Sequence, residues 1–171
     1  KALNNPAVPS ITLAYLSSPL RKAGYDVSWV DAIAEDLDKV WTSPDYPGYA
    51  INGLTIEEII QHIPAHTQII GFNAMFSSEW PVNRDILRAI KQAFPQATLV
   101  AGGEHVTALT EYVLRDCPSV DACVRGEGED KFLELVTQID SGNSISSIEG
   151  ISFIDEEGNY YDRLGNVISR D

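Results

Sequence analysis

Apolar positions along this chain alternate between two spacings. From Ile11 to Ala23 they fall at Ile11, Leu13, Ala14, Leu16 and Leu20, close to a helical period, and Gly24 stands where a helix would end. Asp26 to Asp31 is short, β-branched and aromatic, which predicts a strand. Ahead of the helix, Lys1-Ala2-Leu3-Asn4 is the candidate for a preceding strand. A short helical pattern covers Ala34 to Val40, and Trp41 to Gly53 has the Pro, Gly and Asn content of a surface loop. Thr55 with Glu58 forms a capping box before Ile56, Ile59, Ile60 and Ile63, and Pro64 closes that helix.

The remainder repeats a simple unit. Gln68 to Phe72 predicts a buried strand; Asp85 to Phe94 a helix with Ile86, Leu87, Ile90 and Phe94 on one face; Ala97 to Ala101 the next strand. Val106 to Asp116 is helical, Asp121 to Val124 a short strand, and Lys131 to Ile139 a helix with Phe132, Leu133, Leu135 and Val136 inward. Gly150 to Asp155 and Tyr160 to Arg163, joined by Glu156-Glu157-Gly158-Asn159, predict a hairpin. Strands alternating with helices imply an α/β fold: an open, doubly wound parallel sheet with helices on both faces, followed by a C-terminal β-hairpin. Ligands in such sheets sit beyond the carboxyl ends of the strands, so the informative segments are Asn5 to Ser10, Ala32 to Glu35, Asn73 to Trp80, Gly102 to Thr107 and Arg125 to Asp130.

Composition narrows the function classes. The 171 residues, 44% of them hydrophobic, suffice for a continuous core. No apolar run approaches the roughly 20 residues that span a bilayer, and the start lacks the basic-then-apolar layout of a secretion signal, so a soluble cytoplasmic protein is expected. A net charge of -13, from 25 acidic against 12 basic residues, repels nucleic acid and anionic membrane surfaces. Cys117 and Cys123 suit reduced core thiols better than a disulfide or zinc site.

Candidate chemistry concentrates in three loops. Asn73-Ala74-Met75-Phe76-Ser77-Ser78 mixes small polar with large apolar residues, a lining for a flat organic ligand, although it also fits an ordinary strand-to-helix loop with Ser77 or Ser78 as a helix cap. Gly102-Gly103 projects no β-carbon, which lets a ligand approach the main chain or serves a tight turn, and Glu104 and His105 follow at the rim. Gly126-Glu127-Gly128-Glu129 lacks the third glycine of a dinucleotide loop, Lys131 standing in its place, and its acids also suit a helix amino end. Pro64 between His62 and His66 breaks the helix that would align them on a metal. No Gly-x-Ser-x-Gly elbow, P-loop or His-Glu-x-x-His occurs.

Taken in order, Leu13-Ala14-Tyr15-Leu16, Leu20 to Val27, Ile70-Gly71-Phe72-Asn73, Ala101 to Thr107, Val124 to Glu129 and Ile148 to Phe153 resemble one family. It is the cobalamin-binding domain that precedes the catalytic barrel in cobalamin-dependent radical S-adenosylmethionine enzymes. The resemblance spans nearly the whole chain and implies a Rossmann-like sheet of about five parallel strands whose carboxyl edge holds cobalamin. It implies that Asn73, Ala74, Met75, Phe76, Ser77, Gly102, Gly103, Glu104, His105, Gly126, Glu127, Gly128 and Glu129 form the cofactor pocket, the nucleotide tail against the glycines. Residues 1–147 would be the cobalamin-binding domain, and 148–171 the hairpin and the start of a linker to an absent catalytic domain.

Two features qualify the resemblance. Cobalamin carriers of the methionine synthase type place Asp-x-His-x-x-Gly after the first strand, where this chain has Asn4 to Ser10 without histidine. That loop offers no imidazole to cobalt, as in the radical family. There is also no Cys-x-x-x-Cys-x-x-Cys, so the 4Fe-4S cluster and S-adenosylmethionine would belong to the barrel domain of a longer parent chain, a methyltransferase or cyclase. Two alternatives remain at this point. One is a receiver-like signalling or scaffold domain without cofactor, with Asn4 and Asn5 where its aspartates would stand. The other is a nucleotide- or sugar-handling enzyme using Glu104, Glu127 or Glu129 as acid or base.

Overall fold

A computed structural model describes residues 10–163 of the 171. They form two compact units that divide after Ala65. The first unit holds helix α1 (Ile11–Lys22), a two-stranded antiparallel ribbon of β1 (Val40–Trp41) and β2 (Ile51–Asn52), and helix α2 (Ile56–His62). The capping box at α2 is present on both sides, Thr55 Oγ1 accepting from the Glu58 amide and Glu58 from the Thr55 amide. Glu58 also pairs with Lys39 Nζ, and that hydrogen bond with the Thr55 amide holds its carboxyl down at about 2.

Three expectations in this unit change. Asp26 to Asp31 forms no strand ladder among the described residues, and the other candidate strand, Lys1 to Asn4, lies outside them. The Val27 carbonyl instead accepts from Arg21, whose guanidinium covers Trp29, while Asp31 takes the Ala34 amide and opens a turn. Ala34 to Lys39 is accordingly turns and loop rather than helix, and Val40 begins β1. The predicted loop Trp41 to Gly53 is in part the β1–β2 ribbon, because the turns at Tyr46 and Tyr49 fold it back on itself.

The second unit is built on β3 (Ile69–Asn73), β4 (Thr98–Gly102), β5 (Ala122–Val124), β6 (Ile151–Ile154) and β7 (Tyr160–Asp162), side by side in that order. β3, β4 and β5 are parallel; β6 and β7 are antiparallel additions. The α/β class and the five strands are as expected, but the hairpin supplies two of the five and the parallel part is three strands wide. Helix α3 (Trp80–Ala93) joins β3 to β4, α4 (Glu104–Ala108) and α5 (Thr110–Asp116) join β4 to β5, and α6 (Glu129–Asp140) precedes β6. The single helix expected over Val106 to Asp116 is two, interrupted at Leu109, whose φ of −130° and ψ of 38° leave the helical region.

Strand alternation places cores on both faces. Val100, Ala122, Val124 and Ile151 pack with Leu135 and Phe132 of α6. The intervening residues Leu99, Ala101 and Cys123 are fully enclosed too, on the side where α5 meets β5 and β6. Leu87 and Ile90 of α3 and Val113 and Leu114 of α5 are buried with them, each adding about 1.5–3 kcal/mol by leaving water. Trp80 starts α3, buried, its indole Nε1 donating to Asp116 Oδ2 at 2.9 Å. Among the described residues no helix is long and apolar enough to cross a membrane.

Candidate functional site

Because β3, β4 and β5 run parallel, their carboxyl ends at Asn73, Gly102 and Val124 open on the same edge, and the three sequence-predicted loops leave from there. The first two loops are tied together. The Ala74 amide donates to the Gly102 carbonyl at 2.8 Å, and Ala74 is wholly buried. Gly103 turns with φ at +103°, and a β-carbon there would lie 2.5 Å from the Ala74 carbonyl oxygen and 2.7 Å from Asn73 Oδ1. Gly103 is thus occupied by the protein's own backbone. A β-carbon on Gly102, by contrast, would meet nothing nearer than the Val124 carbonyl at 3.6 Å, and one on Gly126 only Lys131 Nζ at 3.5 Å. Gly103 is therefore architectural, Gly102 is open, and Gly126 combines open space with a φ of +69° that itself favours glycine.

His105 stands behind this edge rather than on it. It is 3% exposed, its ring lies 4.8 Å from that of Trp80, and its Nδ1 is 2.8 Å from Ser77 Oγ. Burial holds the imidazole below its ordinary pKa, so the neutral ring is favoured. Its Nε2 is buried with no hydrogen-bond partner among the described residues. Ser77 begins a short 3-10 turn, Ser77–Glu79, and the His105 contact fixes the end of the loop that presents Met75 and Phe76. Those two side chains remain outward, Phe76 62% exposed.

The third loop, 125–128, passes from β5 to α6. The Gly126 amide donates to Thr107 Oγ1 at 3.0 Å, joining it to α4, and Lys131 Nζ donates to the Arg125 carbonyl at 2.8 Å. Gly128 caps α6, its carbonyl accepting from the Phe132 amide at 2.7 Å. Glu129 and Asp130 occupy the first turn of α6 and Glu104 that of α4, where a helix dipole favours acids. Trp80 and Thr107, which end two of the informative segments, and Lys131, which stands in place of a third glycine, shape the site although none was named as a site residue.

Burial pushes the thiols up, Cys123 to about 12 and Cys117 above its ordinary value, so neither offers a ready thiolate. His62 Nδ1 is 2.7 Å from the Glu58 carbonyl of its own helix. Among the described residues no three His, Cys, Asp or Glu side chains lie close enough to hold a metal ion.

A family model described as the B12 binding domain matches residues 6–136. The chain belongs to the B12-binding domain family. Among curated relatives, an uncharacterized methyltransferase of Pyrococcus horikoshii is 34% identical, the match covering 85% of this chain and 28% of that protein. An anaerobic magnesium-protoporphyrin IX monomethyl ester cyclase of Rubrivivax gelatinosus is 32% identical over 88% of this chain and 25% of its own. This B12-binding domain thus spans about a quarter of the length of these relatives. In solved structures the same fold occurs in the cobalamin-dependent S-adenosylmethionine radical enzyme OxsB, with a TM-score of 0.72, 22% identity, and 95% of this chain against 21% of that one. It occurs again in the radical S-adenosylmethionine methyltransferase TsrM of Kitasatospora setae, with a TM-score of 0.70, 18% identity, and 96% against 29%. Family membership replaces the receiver-like and the nucleotide- or sugar-handling alternatives.

Proposed function

We propose that this B12-binding domain holds cobalamin at the carboxyl edge of β3, β4 and β5, as one module of a longer radical S-adenosylmethionine enzyme. The observation that carries the reading is the pair of open walls at Gly102 and Gly126, at the edge where parallel sheets take ligands. The residues present fit the group. Gly102 and Gly126 leave room for the nucleotide tail, outward Met75 and Phe76 offer apolar cover to a corrin, and Asn73, Ser77, Glu104 and the Glu127-Gly128-Glu129 segment supply polar atoms around them. Ala74, Gly103 and His105 act from behind, fixing the loops.

When bound, cobalamin supplies a cobalt centre able to carry a methyl group or take part in other radical chemistry. The domain's own residues bind and orient it. His105 holds Ser77 through its Nδ1, and the sequence Asn5 to Ser10 has no histidine, so that loop would offer the cobalt no imidazole. The 4Fe-4S cluster and S-adenosylmethionine belong to the barrel domain of the parent, a methyltransferase or cyclase. The cofactor loops lie within residues 1–147, and the hairpin within 148–171 completes their sheet ahead of the linker to the parent's catalytic domain. The charge of -13 argues against nucleic-acid and anionic-membrane partners, and the reduced, buried thiols suit a cytoplasmic setting. Mixing the chain with hydroxocobalamin and desalting should leave corrin absorbance with the protein; a corrin-free protein fraction at micromolar concentrations would defeat the proposal.

A further inference from the structure

The residue between β5 and the open Gly126 is held from several sides at once. β6 runs antiparallel to β5, pairing Val124 with Ile151 and Cys123 with Ser152, so the start of the hairpin lies beside the end of β5. The Arg125 amide donates to the Gly150 carbonyl at 2.8 Å, and Arg125 Nη1 donates to Asp162 Oδ1 of β7 at 2.6 Å. Asp162 Oδ1 also accepts from Ser152 Oγ at 3.1 Å, the β6 residue with which it is in register. From below, Lys131 Nζ donates to the Arg125 carbonyl. Residue 150 has to be glycine for this arrangement, since φ is +77° and a β-carbon would come within 2.7 Å of Lys131 Cδ and Nζ.

We infer that Arg125 and Asp162 are positioning residues of the cofactor site, a brace through which the C-terminal hairpin sets the backbone of the Gly126–Glu129 loop against the nucleotide tail. This rests on the cobalamin reading above. A loop with glycines at 126 and 128 loses more backbone freedom on ordering than most, and that entropy is charged against binding unless it is lost beforehand. The Arg125–Asp162 pair, with side chains 24% and 30% exposed, is partly shielded from water, Asp162 standing on β7 and Arg125 directly after β5. Next to it the Gly126 amide is fixed on Thr107, so the loop enters its turn already ordered.

The inference separates tail binding from corrin binding. Arg125→Gln and Asp162→Ala should each weaken retention of cobalamin about tenfold, in the range of one charge-assisted hydrogen bond, while changing retention of cobinamide, the corrin lacking the nucleotide tail, by less than about twofold. In the ligand-free chain, hydrogen exchange at the Gly126 amide should quicken while β3 and β4 amides stay protected. Asp162→Ala trims an edge-strand side chain and keeps the test open should Arg125→Gln not fold. Equal losses for both corrins, unchanged retention of cobalamin, or uniformly faster exchange across the sheet would overturn the brace. Where cobinamide is not held at all, the Gly126 exchange decides. A wild-type chain that retains no cobalamin fails the functional reading itself, a result distinct from any of these.

Discussion

At residue scale, His105 shows how a rim histidine in the sequence becomes a structural one. Its Nδ1 is 2.8 Å from Ser77 Oγ, its ring faces Trp80, and burial lowers its pKa. The unfolded chain therefore takes up this proton first as pH falls, starting near the ordinary value of about 6.5, and stability declines from there until the folded ring also titrates. His105→Gln should remove that part of the slope while costing about 1–2 kcal/mol at neutral pH from lost hydrogen bonding and ring packing. Denaturant midpoints measured between mildly acidic and neutral pH give both quantities, and an unchanged slope would assign the dependence to other groups. The sequence placed His105 at the ligand edge through its position after Gly102-Gly103. It could not show which way the ring turns, because that depends on Trp80, which arrives from another loop.

At the scale of elements, the Gly102-Gly103 turn divides its labour. Gly103→Ala would press a methyl into the Ala74 carbonyl at 2.5 Å with φ at +103°, so a loss of about 1–3 kcal/mol is expected and a lower thermal midpoint should report it. Gly102→Ala has space, its nearest non-neighbour atom being 3.6 Å away. It should leave the stability within about 0.5 kcal/mol of wild type and lower cobalamin affinity instead. Equal thermal effects of the two substitutions would mean that Gly102 is architectural as well. Adjacent identical letters cannot reveal such a difference, since the contact that distinguishes them comes from Asn73 and Ala74, at and just beyond the end of the neighbouring strand. The helices and strands from Ile69 to Asp162 were largely legible because apolar spacing tracks the buried face. The segment from Asp26 to Gly53 was not: its course follows from Arg21 on Val27 and Trp29 and from the β1–β2 pairing, none of which is periodic.

At the scale of the molecule, the chain spans about a quarter of each longer relative, and the proposed module reading assigns the cluster chemistry to the rest of the parent. Reconstitution of this chain with iron and sulfide should yield no cluster absorbance, because its two cysteines are buried and Cys123 is held near 12. The parent protein treated alike should yield a 4Fe-4S spectrum; a stable cluster on the 171 residues alone would contradict the module reading. The amino-acid sequence by itself determined the α/β class, the order of the units, the loops that meet the ligand edge and the family they resemble. Hydrophobic period and glycine position are local properties, written in neighbouring letters. Only the tertiary structure decided that the hairpin joins the sheet as its fourth and fifth strands, that Gly102 and Gly126 are open while Gly103 is filled, and that Arg125 reaches Asp162. Those are contacts between residues far apart in the chain, fixed by strand direction and register, and no local spacing encodes them.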